Sequence, residues 1–122
     1  MGTINTTGYF EQIKTKMDAY VHFVYKLTKN FPKEEIYGCT SQLRRSTLSV
    51  ILNFIEGFAR KKLAVKRNFW EISYGSLQES KYLLEFAWME KYIMNEADYL
   101  TALKMADEIG AMLWTAMEPL SE

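Results

Sequence analysis

The sequence predicts an all-α fold: a single domain over residues 1–122 that forms an antiparallel up-down four-helix bundle. Three observations carry this reading. Apolar residues recur at three- and four-residue spacing in four long segments, the mark of amphipathic helices. Proline stands only at positions 32 and 119, and the breaks between segments are short, as antiparallel neighbours in a bundle require. No stretch alternates apolar and polar residues as a half-buried strand would. With 122 residues, 48% of them apolar, the chain can bury one sizeable core.

The first helix is expected over about residues 7–30, capped by Thr6 or Thr7. Phe10, Ile13, Met17, Tyr20, Val21, Val24 and Leu27 give it a bundle-facing stripe. Asn30-Phe31-Pro32 ends it, because the residue before proline avoids the helical region. Lys33 to Gly38 is a connector with room for one helical turn, and Gly38 is expected as a left-handed stop before Thr40 or Ser41 caps the next helix. The second helix covers about residues 40–60, and a basic break around Arg60-Lys61-Lys62 follows it. The third covers about 64–92 and carries two apolar stripes, one with Phe69 and Ile72, the other with Trp70, Leu77, Leu84 and Trp88. Asn95 caps the fourth, over about 95–118, with Met94 and Tyr99 placed as a hydrophobic staple, and Pro119 closes it.

The second helix organises the rest. Leu43, Thr47, Val50, Ile51, Phe54 and Phe58 make its apolar face. Gln42, Arg45, Ser49, Asn53, Glu56 and Arg60 form a second, polar row. A hairpin turning near residue 62 sets Arg45 opposite Glu79, Ser49 opposite Gly75 and Asn53 opposite Glu71. This register predicts a partly buried Arg45–Glu79 ion pair. The polar row reads as a hydrogen-bonded seam of Gln42, Arg45, Ser49, Asn53, Glu56, Glu71 and Glu79 that fixes helix register or subunit contacts, since buried polar groups need partners. The other reading is a ligand or catalytic cleft.

Formal net charge is zero, which argues against strong nucleic-acid binding by bulk charge. The charge is unevenly placed. Residues 44–67 hold seven Lys or Arg against Glu56 alone, and residues 68–122 hold ten acids against three Lys. The lone Cys39 cannot form an internal disulfide, as expected in a reducing cytoplasm. No signal peptide and no membrane span are expected.

Enzymatic chemistry finds little to work with. A di-metal bundle site needs inward carboxylates and paired Glu-x-x-His motifs, and His22 is the only histidine. Cys39 has no Cys-x-x-Cys partner, and neither Gly57 nor Gly75 opens a phosphate loop. No cofactor, metal or catalytic residue is expected. The best functional candidate is the basic turn, Arg60, Lys61, Lys62, Lys66 and Arg67, with Arg44 about four turns away. Repeated around an oligomer, such a turn becomes a ring able to hold phosphates weakly. The apolar surplus on the second and third helices points to an oligomer, because a monomer would expose a sizeable patch.

Several runs resemble one bacterial family. These are Phe31-Pro32-Lys33-Glu34-Glu35, Ser41-Gln42-Leu43-Arg44-Arg45-Ser46, Ser49, Asn53, Glu56-Gly57, Arg60, and Gly75-Ser76-Leu77 with Glu79. The chain resembles, from about Tyr9 to Leu113, the four-helix-bundle proteins first known from reading frames within intervening sequences of large-subunit ribosomal RNA genes. The accessory variability determinant of diversity-generating retroelements is similar at the superfamily level. The resemblance implies a homopentameric barrel. Its retroelement branch implies a reverse transcriptase partner and RNA or DNA binding through a basic surface. A net charge of zero departs from that strongly basic type and sits closer to the intervening-sequence branch. The expectation is a non-enzymatic homo-oligomer that binds nucleic acid weakly through the repeated basic turn. The alternative is a structural or protein-binding scaffold with no nucleic-acid role.

Overall fold

The computed structural model describes residues 6–120. Within them run four α-helices: α1 (Thr6–Thr28), α2 (Cys39–Phe58), α3 (Leu63–Met89) and α4 (Glu96–Met117). Single 3-10 turns occupy Lys33–Glu35 and Glu118–Leu120, and there is no strand among the described residues. Contacts join α1 to α2, α2 to α3, α3 to α4 and α4 back to α1. The diagonal pairs, α1 with α3 and α2 with α4, make none. The fold is the four-helix bundle that the periodicity predicts, with α2 and α3 sharing the most extensive contact. The Tyr9 hydroxyl closes the α1–α4 seam by donating to the Met112 carbonyl at 3.1 Å.

The core follows the stripes. Ile13, Met17, Tyr20 and Val24 enter from α1, Leu43, Val50 and Phe54 from α2, Leu77 and Leu84 from α3, and Ile109 and Leu113 from α4. Burying each such side chain contributes roughly 1.5–3 kcal/mol. At one end Phe54 stacks between Phe10 and Trp70, with 5.0 Å between centroids on either side. Further along, the Ser80 hydroxyl donates to the Leu77 carbonyl at 2.7 Å and is left free to accept from Tyr20. Burial pushes the Tyr20 phenol up to about 12 against the opposing pull of Ser80, so it stays a neutral donor.

The helix ends depart from the sequence reading in three places. Gly38 does precede α2, but its φ is −112°, outside the left-handed region. The Glu35 carboxylate, not Thr40 or Ser41, caps α2 by accepting from the Cys39 N–H at 3.0 Å. A 3-10 turn at residues 33–35 brings that carboxylate back to the helix start, a fold-back that local spacing does not announce. Second, α3 stops at Met89, and Lys91, with φ 67°, takes the left-handed position. Third, Asn95 caps α4 by accepting from Ala97 and Asp98 N–H, yet Met94 is 87% exposed and forms no staple; Tyr99 stacks on Trp88 instead, at 5.1 Å. The cap assigned to Thr6 or Thr7 rests on side chains outside the described residues.

Candidate functional site

The hairpin register is visible in its hydrogen bonds. Trp70 Nε1 donates to Phe54 O at 2.9 Å, Ser73 to Val50 O at 2.6 Å, and the Ser49 and Ser76 hydroxyls meet at 2.7 Å. Asn53 Nδ2 donates to both the carbonyl and the hydroxyl of Ser49. These small side chains let the two backbones close, and they form the true polar seam.

The charged part of the expected seam is not in it. Arg45 and Glu79 are both exposed, and no ion pair joins them among the described residues. Their long side chains start from the outer flank of the hairpin, where solvent competes for them. Glu71 pairs with Arg67 rather than facing Asn53. Glu56 pairs with Arg60 one turn on, and Gln42 is exposed.

The basic turn is also largely spoken for. Arg60, paired to Glu56, has its guanidinium 5.2 Å from the Phe69 ring centroid. Lys66 Nζ donates to the Phe58 carbonyl at 3.2 Å, which caps the end of α2, and it lies over the Phe58 and Trp70 rings. Partial burial lowers its pKa. Arg67 Nε lies 3.1 Å from Glu71 Oε2 but is too poorly aligned to hydrogen-bond, so this buried nitrogen lacks a hydrogen-bond partner. Arg44 is remote: it donates to Thr28 Oγ1 at 2.8 Å and stacks over Tyr25, tying α2 to the end of α1. Only Lys61 and Lys62, of the six candidates, are exposed without an ion pair or hydrogen bond among the described residues.

The hairpin also exposes several large apolar side chains. Leu52 is 59% exposed and Ile72 44%, with Ile55, Leu63 and Val65 also exposed around them. On the same hairpin a Cβ on Gly75 would meet nothing within 4 Å, so the surface there is bare backbone. Sequence reasoning expected the apolar surplus and read Trp114, with Trp70 and Trp88, as a core or subunit-interface aromatic, but the hollows beside it could not be read from spacing. Trp114 is 56% exposed on α4, leaning on Tyr74 with 5.4 Å between centroids. A cavity of about 270 Å³ lies on one side of it, lined by Arg67, Glu71, Met117 and Glu118. Another of about 380 Å³ lies on the other, where Ala106, Gly110 and Ala111 leave room. The available signal was that Trp114 falls outside the α4 stripe of Ala102, Ala106, Ile109, Leu113 and Met117.

Metal and thiol chemistry find no built site here. Among the described residues no three His, Cys, Asp or Glu side chains gather as a metal site. His22 is exposed, 3.4 Å from Asp18. Burial, then Glu35, pushes the Cys39 thiol up to about 11, so little thiolate exists at neutral pH. No helix among the described residues is long and apolar enough to cross a membrane.

The family model of the 23S rRNA-intervening sequence proteins matches residues 11–115. The chain belongs to the 23S rRNA-intervening sequence protein family. The bundle is similar to the crystal structure of a protein of unknown function from the S23 ribosomal protein family of Bacteroides thetaiotaomicron. The TM-score is 0.77 at 22% identity, covering 87% of this chain and 98% of that one, and the likeness concerns the fold. No curated protein matches the chain. Within this intervening-sequence family member, the matched span takes in the whole α2–α3 hairpin and Trp114.

Proposed function

We propose that this intervening-sequence family protein is the subunit of a non-enzymatic homo-oligomeric scaffold, self-associating through the outer face of the α2–α3 hairpin. One observation carries the reading: large apolar side chains, Leu52 and Ile72 foremost, stand in solvent on α2 and α3 of an otherwise well-packed bundle. Five copies is the number the family resemblance suggests. Light scattering at micromolar concentration tests the reading. The wild type is expected to have a mass of several chains. Leu52→Glu/Ile72→Glu is expected to fall to one chain with its helical circular dichroism unchanged, because charges on an exposed face cost the isolated subunit about 0.5 kcal/mol or less. A wild-type mass of one chain would end the proposal.

A second reading, weak RNA or DNA binding, is favoured by the exposed and unpaired Lys61 and Lys62. Two lysines per subunit release few counterions, so only a ring of copies gives useful affinity. Anisotropy across a salt series is expected to show a shallow slope for an isolated subunit and a steeper one for the assembly. No binding at low salt removes this reading.

A further inference from the structure

Trp114 stands 56% exposed on α4, and its one ring contact among the described residues is Tyr74 of α3. The two ring planes are tilted by 55° with their centroids 5.4 Å apart, so they make two walls of an open box. Met117, buried at the end of α4, lines the hollow beside them together with Arg67, Glu71 and Glu118. Its volume of about 270 Å³ is small for a ligand site. Pockets for drug-sized molecules begin near ~300 Å³, so whatever fits here is a compact molecule.

The electrostatics of the hollow select the sign of that molecule. Its lining has two carboxylates against one guanidinium, and Arg67 is already held by Glu71 at 3.1 Å. Glu118 makes no ion pair among the described residues. It also directly follows the last residue of α4, where the helix dipole places partial negative charge. Lys, Arg or His commonly offsets that charge, yet the last turn of α4 has no basic residue and neither has the 3-10 turn after it. The ring faces add the negative side of their quadrupoles, strongest for Trp. All of these features call for a cation. The hollow on the other side of Trp114 differs, because Lys81 there is bonded to Asp107 at 2.6 Å and the two charges cancel.

We propose that the Trp114–Tyr74 hollow binds a small quaternary ammonium compound of the choline class. The methylated nitrogen lies against the two rings, with the Glu118 carboxylate as its counter-charge. A quaternary nitrogen has no N–H to satisfy, which suits walls of Trp, Tyr and Met that offer few acceptors. A primary ammonium would give up hydrogen bonds to water that these walls cannot replace. The Arg67–Glu71 pair remains for the polar tail of the ligand. Every lining residue belongs to one subunit, so the site stands apart from the self-association reading.

The test titrates choline chloride into the isotope-labelled full chain, exchanging it for sodium chloride so that ionic strength is constant. The Trp114 indole N–H resonance, identified by its loss in Trp114→Leu, is expected to shift and saturate with half-effect at roughly 1 mM. The resonances of Trp70, bonded to the Phe54 carbonyl, and Trp88, stacked on Tyr99, are expected to stay in place. Saturation transfer to the choline methyl protons then reads the variants. Trp114→Leu is expected to weaken binding at least tenfold and Glu118→Gln about threefold. Both residues are exposed, so an unchanged helical signal serves as the folding control. The neutral analogue with carbon in place of the ammonium nitrogen is expected to give no saturable shift. Binding of that analogue as tight as choline would make the hollow a plain apolar recess and overturn the proposal. Equal binding by ethanolamine would overturn the quaternary class. Unchanged affinity in Trp114→Leu, or no saturation by about 100 mM choline, would overturn the site itself.

Discussion

Phe54→Ala is expected to destabilise the subunit by about 3–5 kcal/mol, the cost of emptying a fully buried aromatic position. Phe54 has no exposed surface, and its ring is the middle layer between Phe10 and Trp70. Removing it leaves α1 and α3 facing a void, because rings on two different helices cannot both collapse into the space. Its carbonyl would still accept from Trp70, so the hydrogen bond is retained and the loss is one of packing. Urea denaturation followed by circular dichroism checks the figure. A loss below about 1 kcal/mol would mean that the stack contributes far less than its burial implies.

Gly57→Ala is expected to destabilise the subunit by about 2–3 kcal/mol, against the helix propensity that favours alanine by roughly 1 kcal/mol. A Cβ there would lie 2.6 Å from Trp70 Nε1 and 3.1 Å from the Lys66 carbonyl oxygen, with Trp70 Cδ1 nearer still. The indole must move, and with it goes the bond to Phe54 O. Overpacking costs about 1–3 kcal/mol and an unmade buried hydrogen bond about the same. Gly75→Ala is the internal comparison, since its Cβ meets nothing within 4 Å and the change should stabilise by roughly 0.5–1 kcal/mol. Thermal melts of both variants decide it. Equal shifts of the same sign would show that the Gly57–Trp70 contact does not constrain the hairpin.

Most of the fold was legible because it rests on periodicity. The stripe from Phe10 to Val24 is the stripe that lies in the core, and the α2–α3 register follows from a hairpin turn of known place. The candidate site was legible only in part. That Ser49 would face the third helix near Gly75 could be read from spacing; that Ser76, its neighbour, would supply the hydroxyl could not. Arg45 and Glu79 sit at matched heights, but height does not say whether long side chains turn inward or out to water. The basic run at 60–67 looked like one patch because sequence shows charge without showing partners. In space Glu56, Glu71 and the Phe58 carbonyl engage three of its members. Trp114 could be read as a core or interface aromatic, but its exposure could not, for a related reason. An aromatic outside a stripe reads as an exception until the hollows beside it are seen.

The bond from Tyr9 to Met112 spans a sequence separation of 103. That separation has a consequence in time. The α2–α3 hairpin closes over a four-residue turn and depends on neighbours in the chain, whereas the α1–α4 seam must bring the far parts of the polypeptide together. Loop-closure entropy rises with the length enclosed, and pairings that are local in sequence form sooner. The hairpin, with its outer face of Leu52, Ile55 and Ile72, is then complete while α1 and α4 are still docking. A nascent chain exposes these apolar side chains before its own bundle has shut, so concentration during synthesis bears on whether chains close upon themselves or upon each other.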